Sequence, residues 1–177
     1  MHGMDRKILI AGVGNVLRGD DGFGVEVAKQ LMQKNCLPAS VKVIETGIGG
    51  MSLVQELMDH YEALVLVDAY KKGGEPGQLY LLEPEIPDLS HLNSQDRRDY
   101  FADTHYATPI RALALVDNVA TLPKTIRIIG CEPEELEDLK IGLSSSVGAA
   151  IDEAVAMVID WVRQYRENDM AESLKVE

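Results

Sequence analysis

Residues 12–24 read Gly12-Val13-Gly14-Asn15-Val16-Leu17-Arg18-Gly19-Asp20-Asp21-Gly22-Phe23-Gly24, with five glycines in thirteen residues. A strand-length apolar run, Lys7-Ile8-Leu9-Ile10-Ala11, precedes them, and Val25, Val27, Ala28 and Leu31 follow at helical spacing. The segment is therefore a tight strand-to-helix turn, and it commits the chain to the β-α units from which parallel sheets are built. It also places two adjacent carboxylates, Asp20 and Asp21, where the strand hands over to the helix.

Those carboxylates argue against a phosphate cradle. A dinucleotide fingerprint wants glycine at the sixth position of G-x-G-x-x-G, where this chain has Leu17. Two aspartates would set negative charge against a pyrophosphate that a helix N-terminus alone would not offset. Glu45, at the end of the next strand, is the one residue suited to a ribose. An Asp ahead of a helix commonly caps it. That explains one of the pair and leaves the other to be accounted for.

The rest of the chain extends the first unit. Val41 to Glu45 alternates as a second strand, Gly47, Gly49 and Gly50 break it, and Met51, Leu53, Val54, Leu57 and Met58 outline a second helix. Ala63-Leu64-Val65-Leu66-Val67-Asp68-Ala69 is a buried strand ending on an acid. Glycine-rich turn chemistry at 71–77 leads into a short edge strand at 78–82, and residues 88–104 are polar without a clear period. Pro109 opens a helix, Thr125 to Gly130 is the last strand, and a terminal helix runs from about Ser146 through Val162. The pattern predicts a single-domain, three-layer α/β/α fold with a mainly parallel twisted sheet of about five strands. It assigns residues 1–166 to the domain and 167–177 to a polar tail.

At 177 residues and 46% hydrophobic, one domain with a good core is expected. The formal net charge is -12 with no basic run, which argues against nucleic acid and anionic membrane as partners. No segment reads as a membrane span or a signal peptide. Cys36 and Cys131 lack CxxC spacing and suit a reducing cytoplasm, the expected location. Cys131 reads as a packed thiol rather than a nucleophile, and Ser144-Ser145-Ser146 as a helix cap rather than a G-x-S-x-G elbow.

In parallel sheets, ligands bind at the carboxyl ends of strands. Asp21 follows the first strand and Asp68 closes the third, so both belong on that rim. Of the histidines, His2 is terminal, His60 ends the second helix as a cation at its dipole, and His91 lies in the polar segment. His105 stands just before a helix, where the irregular segment must return to the rim. Two carboxylates and an imidazole converging there would form an oxygen-rich site with open positions, suited to zinc or nickel. There is no HExxH, so it is not a helical zincin.

These residues resemble the hydrogenase maturation endopeptidases. The matching pieces are Gly12-Val13-Gly14-Asn15, Leu17, Asp20-Asp21-Gly22-Phe23-Gly24-Val25, Glu45-Thr46-Gly47 with Gly50 and Leu53, Val67-Asp68-Ala69, and His105. Gly130-Cys131-Glu132-Pro133-Glu134 and Ile141-Gly142-Leu143-Ser144 complete the match, which spans about 7–162. The resemblance implies an endopeptidase that removes the C-terminal extension of a nickel-iron hydrogenase large-subunit precursor after nickel insertion. It implies metal contacts at Asp21, Asp68 and His105, with nickel presented by the precursor and zinc or another divalent ion able to substitute. Asp21 and Asp68 are the catalytic candidates: the metal could polarise the scissile carbonyl or activate water, or an Asp could serve as the base for that water, and the amino-acid order does not choose between these. The alternative is a non-catalytic nickel-sensing or metal-chaperone module using the same three residues. Arg97 and Arg98 in residues 88–104 are expected to help dock the precursor, since they supply local positive charge in an acidic chain.

Overall fold

A computed structural model describes residues 7–47, 50–102, 108–136 and 139–173. Five strands form one sheet: β1 (Ile8–Val13), β2 (Val41–Gly47), β3 (Ala63–Ala69), β4 (Leu79–Leu82) and β5 (Thr125–Cys131), in the order β2-β1-β3-β5-β4. All neighbours are parallel except β4, which runs antiparallel to β5 at the edge. The mainly parallel α/β sheet expected from the pattern is therefore present, with its shortest strand at the rim.

Helices cover both faces. α1 (Phe23–Lys34) and α6 (Ile151–Ser173) pack on one, and α2 (Met51–Leu57) and α4 (Pro109–Val119) on the other. Alternation along β1 divides the core: Ile8 and Ile10 face α1 and α6, while Leu9 and Ala11 face α2 and α4. Burial on both sides explains why β1 and β3 read as continuous apolar runs. α1 stops at Asn35, whose φ of 45° is left-handed, and α4 starts on Thr108, whose hydroxyl accepts the Arg111 N–H. α5 (Ser145–Ala149) starts on Ser144, which caps it as expected. α6 runs through to Ser173, beyond the residue-166 boundary drawn from composition.

The polar segment differs from its expected irregularity. It contains a helix, α3 (Ser94–Ala102), that was not legible because it has no apolar stripe. Its order comes from other bonds. Asn93 Oδ1 accepts the N–H groups of Gln95 and Asp96, each at 2.9 Å, and Gln95 Nε2 donates to Asp99 Oδ1 at 3.1 Å. Arg97 Nη2 donates to the Leu92 carbonyl at 2.9 Å and Nη1 to Asn118 Oδ1 at 3.4 Å, while the Arg111 guanidinium lies 4.6 Å from the Tyr100 ring centre. Arg97 thus fastens α3 to α4, whereas Arg98 is exposed.

Strand order changes direction beside β1: the chain leaves it toward β2 on one side and reaches β3 on the other. Such a switch opens a crevice at the carboxyl ends of the two central strands. Glycine lets the first turn of α1 close over it. A Cβ on Gly24 would collide with the carbonyls of Val67 and Val13, and one on Gly12 would lie 2.6 Å from the Ala28 Cβ. Gly24→Ala should therefore lower the unfolding free energy by about 3 kcal/mol in urea titration. Gly148→Ala, whose added Cβ meets only Leu143 at 4.0 Å, should change it by less than about 1 kcal/mol. Equal effects of the two would show that α1 can back away from the sheet without cost.

Candidate active site

The crevice is built by the β1–α1 connection and the end of β3. Residues Gly19–Gly22 form a single 3-10 turn that packs against β3, and it carries both Asp20 and Asp21. The two neighbours have opposite fates.

Asp20 is buried, with 2% of its surface exposed. Its Oδ1 accepts the Ser144 N–H at 2.7 Å, and its Oδ2 accepts the Glu134 N–H at 2.9 Å, the Glu135 N–H at 3.3 Å and the Ser144 hydroxyl at 3.0 Å. Burial opposes ionisation, but these donors outweigh it and hold the carboxyl below the usual aspartate range. Asp20 is thus a clamp between the β1–α1 turn and the chain after β5, and not the helix cap that its position suggests: α1 begins at Phe23 with no side-chain cap.

Asp21 stays partly open to solvent, with Oδ2 accepting the Asn15 N–H at 3.0 Å. Gly14, at φ 135°, passes so close to the Asp21 carbonyl that a Cβ would not fit. Asp68 lies at the end of β3, half-buried, paired in register with Gly130 of β5. Burial, and then the negative charge of Asp21, push its carboxyl up to about 8, against a smaller opposing hydrogen bond from the Ala69 N–H. The charge of Asp21 is thus felt at Asp68 across the switch point. His105 and His2 lie outside the described residues.

The other candidates separate cleanly. His91 is exposed in the turn before α3. His60 is exposed with a left-handed φ of 56°, and its N–H bonds to the Leu57 carbonyl. It ends α2 by backbone geometry. Cys131 is buried, and burial together with the charges of Asp20 and Glu132 raises its thiol to about 12, as befits an inert packed sulfur. Glu45 is exposed.

Glu132 directly follows β5 and holds a loop across the sheet end. Its buried carboxylate accepts the N–H groups of Lys72 at 2.8 Å and Gly73 at 3.1 Å and the Tyr80 hydroxyl at 2.8 Å. Burial works against these bonds but loses, and the carboxyl sits at about 2. Glu132 so holds the loop that leaves the β3 end just after Asp68. No spacing rule could have revealed this, since its partners lie about sixty residues away.

Two carboxylates that repel one another are donors a divalent cation could meet, since a cation would relieve the repulsion. Among the described residues no group of three His, Cys, Asp or Glu is placed to hold a metal ion. The pair fits a divalent cation only with a further donor, from His105 or from whatever brings the ion.

Fold and rim together define a doubly wound α/β protein with two carboxylates on the rim at its switch point. The family model for hydrogenase maturation proteases matches residues 25–161. The hydrogenase 2 maturation protease of Escherichia coli strain K12 is 30% identical over 160 residues, covering 89% of this chain and 92% of that protein. The structure of the hydrogenase maturating endopeptidase HybD from E. coli superposes with a TM-score of 0.72 at 28% identity, over 90% of this chain and 93% of that one. A hydrogenase 2 maturation peptidase from a Thaumarchaeota archaeon gives 0.62 at 30% identity, over 89% and 98%. The chain belongs to the hydrogenase maturation protease family, and it is a peptidase.

Two measurements check the assigned electrostatics. Asp20→Ala strands three backbone N–H groups and should cost about 3 kcal/mol or more in urea unfolding; a cost below about 1 kcal/mol would mean that the two loops do not depend on the clamp. Asp68 gives the second. Folded, it keeps its proton up to about pH 8, whereas an unfolded aspartate releases it near about 3.9. The folded state therefore binds more protons in that window, and stability declines as pH rises through it. Asp68→Asn, with no proton to lose, should gain on the parent between pH 4 and pH 8. A constant difference across that range would show Asp68 ionising as freely as a surface carboxyl.

Proposed function

We propose that this peptidase removes the C-terminal extension of a nickel-iron hydrogenase large-subunit precursor after nickel has been inserted. What supports the reading is the Asp21–Asp68 pair, in which burial first and then the charge of Asp21 raise the Asp68 carboxyl. Such a pair is poorly disposed toward ionisation alone and well disposed toward a cation delivered to it. In the proposal the nickel belongs to the substrate. Its arrival beside Asp21 and Asp68, with His105 as a third donor, would offset the repulsion and displace the Asp68 proton to solvent, so that only a loaded precursor is seated productively. Zinc or another divalent ion of similar preference can occupy the same donors.

Hydrolysis then requires water to add to the scissile carbonyl, the C–N bond to break, and the departing amine to leave with a proton. Asp21 and Asp68 are the groups at the rim able to accept the proton from the attacking water. We place the reaction in the cytoplasm, where the two unpaired cysteines, Cys36 and Cys131, remain reduced.

The test is incubation of the purified protein with nickel-loaded and nickel-free precursor, with release of the C-terminal peptide followed by mass spectrometry. Cleavage should require the loaded form. Asp21→Asn, Asp68→Asn and His105→Ala should each lower kcat/KM by about a hundredfold or more, while His91→Ala leaves it near the parent value. Binding of loaded precursor without peptide release would instead identify a nickel-sensing module.

A further inference from the structure

Tyr70 is the first residue after β3, two beyond Asp68, and 37% of its surface is exposed. Its backbone is fixed on both sides. The Tyr70 N–H bonds to the Cys131 carbonyl at 2.8 Å, and just beyond it the Glu132 carboxylate holds the N–H groups of Lys72 and Gly73. The Tyr70 hydroxyl, by contrast, makes no hydrogen bond with a described residue.

Gly130 sets this ring beside Asp68. Gly130 and Asp68 are register partners across β5 and β3, and a Cβ on Gly130 would stand 2.6 Å from the Tyr70 Cβ and 3.2 Å from its Cγ. A larger residue at 130 would therefore push the ring away from the strand end. Leu66 and Ile128, two residues earlier on each strand, belong to the core under α2 and α4, so by alternation Asp68 and position 130 face that same side.

On that side Tyr70 lines an open pocket of about 570 Å³, together with Ile110 of α4 and Ile128 of β5. The volume is in the range of natural ligand sites. Lys71, Lys72, Glu83 and Glu85 also line it, and Glu83 is paired with Arg127 at 3.5 Å. A lining with both signs of charge and apolar side chains among them is not built for a ligand of one sign. It suits a stretch of polypeptide, which brings apolar side chains together with backbone N–H and C=O groups. The chain is a peptidase, so the polypeptide that must reach this rim is its substrate. A tyrosine with a fixed backbone offers such a chain a large amphipathic surface at little cost in ordering, since it has only two side-chain torsions.

We propose that Tyr70 is a substrate-contacting residue: its ring packs against the precursor polypeptide on the α4 side of Asp68, and the pocket it lines takes a side chain of that polypeptide. The inference rests on the processing reading above and adds where the polypeptide, as distinct from its metal, is held.

The test uses the full chain and nickel-loaded precursor. Tyr70→Ala should raise KM for peptide release about tenfold with kcat within about twofold, and Tyr70→Phe, which keeps the ring, should stay within about twofold of the parent KM. The pH profile of kcat should be the same in all three. Met170→Ala, at an exposed residue of α6, is the control and should leave both constants unchanged. Benzoylphenylalanine in place of Tyr70 should photocrosslink to labelled precursor when irradiated on mixing, whereas the same group in place of Met170 should not. The crosslink also decides the matter should Tyr70→Ala fail to fold. If the parent cleaves precursor while Tyr70→Ala keeps the parent KM, or lowers kcat alone, the contact is wrong and the processing reading stands. A crosslink only to a second copy of this chain would assign the pocket to self-association and likewise overturn the proposal. A parent that neither binds nor cleaves loaded precursor overturns both.

Discussion

The buried carboxylate of Asp20 holds together two parts of the chain that the sheet alone would leave independent. Strand pairing fixes β1 against β3 and β3 against β5, but the segments leaving β1 and β5 meet only beyond the sheet. Asp20 joins them with four donors, three of them backbone N–H groups. Charge-assisted bonds to backbone are stiff and strong compared with neutral ones. The 3-10 turn is fixed at one residue, and the neighbouring residue, Asp21, takes its position from that fixed point.

The acidic residues around the crevice show how one functional group is given different states by its surroundings. Asp20 and Glu132 are both buried, yet each is supplied with N–H and O–H donors and stays ionised. Asp68 receives little such help, and burial first, then the charge of Asp21, keep its proton far above the usual range. The first two organise loops, one on each side of the rim. The third carries an electrostatic cost that its neighbours do not offset.

Much of this was legible in the amino-acid order. Apolar runs at β1 and β3 and helical spacing in α1 were enough to place Asp21 and Asp68 on one rim, because strand ends and switch points follow from connectivity. Pro109 and Ser144 marked helix starts by local rules that the structure obeys. What was not legible depended on distance in the chain. Asp20 binds residues 114 to 124 positions away, and its adjacency to Asp21 gave no sign of which would be buried. α3 was hidden for another reason: its stability comes from the Asn93 cap and from Arg97 and Arg111, none of which produces a period. Arg97, expected as a docking contact, is occupied within the fold.

The strap at 139–144 links the clamp to exposed apolar side chains. A loop bearing Leu139 and Ile141 in water would ordinarily gain by folding those side chains inward, and a mobile one would do so. Here its backbone is pinned at Lys140 to residues 17 and 19, and at Ser144 to Asp20, and the side chains stay exposed. The same turn presents Asp21, so the strap and that carboxylate take their positions from one element.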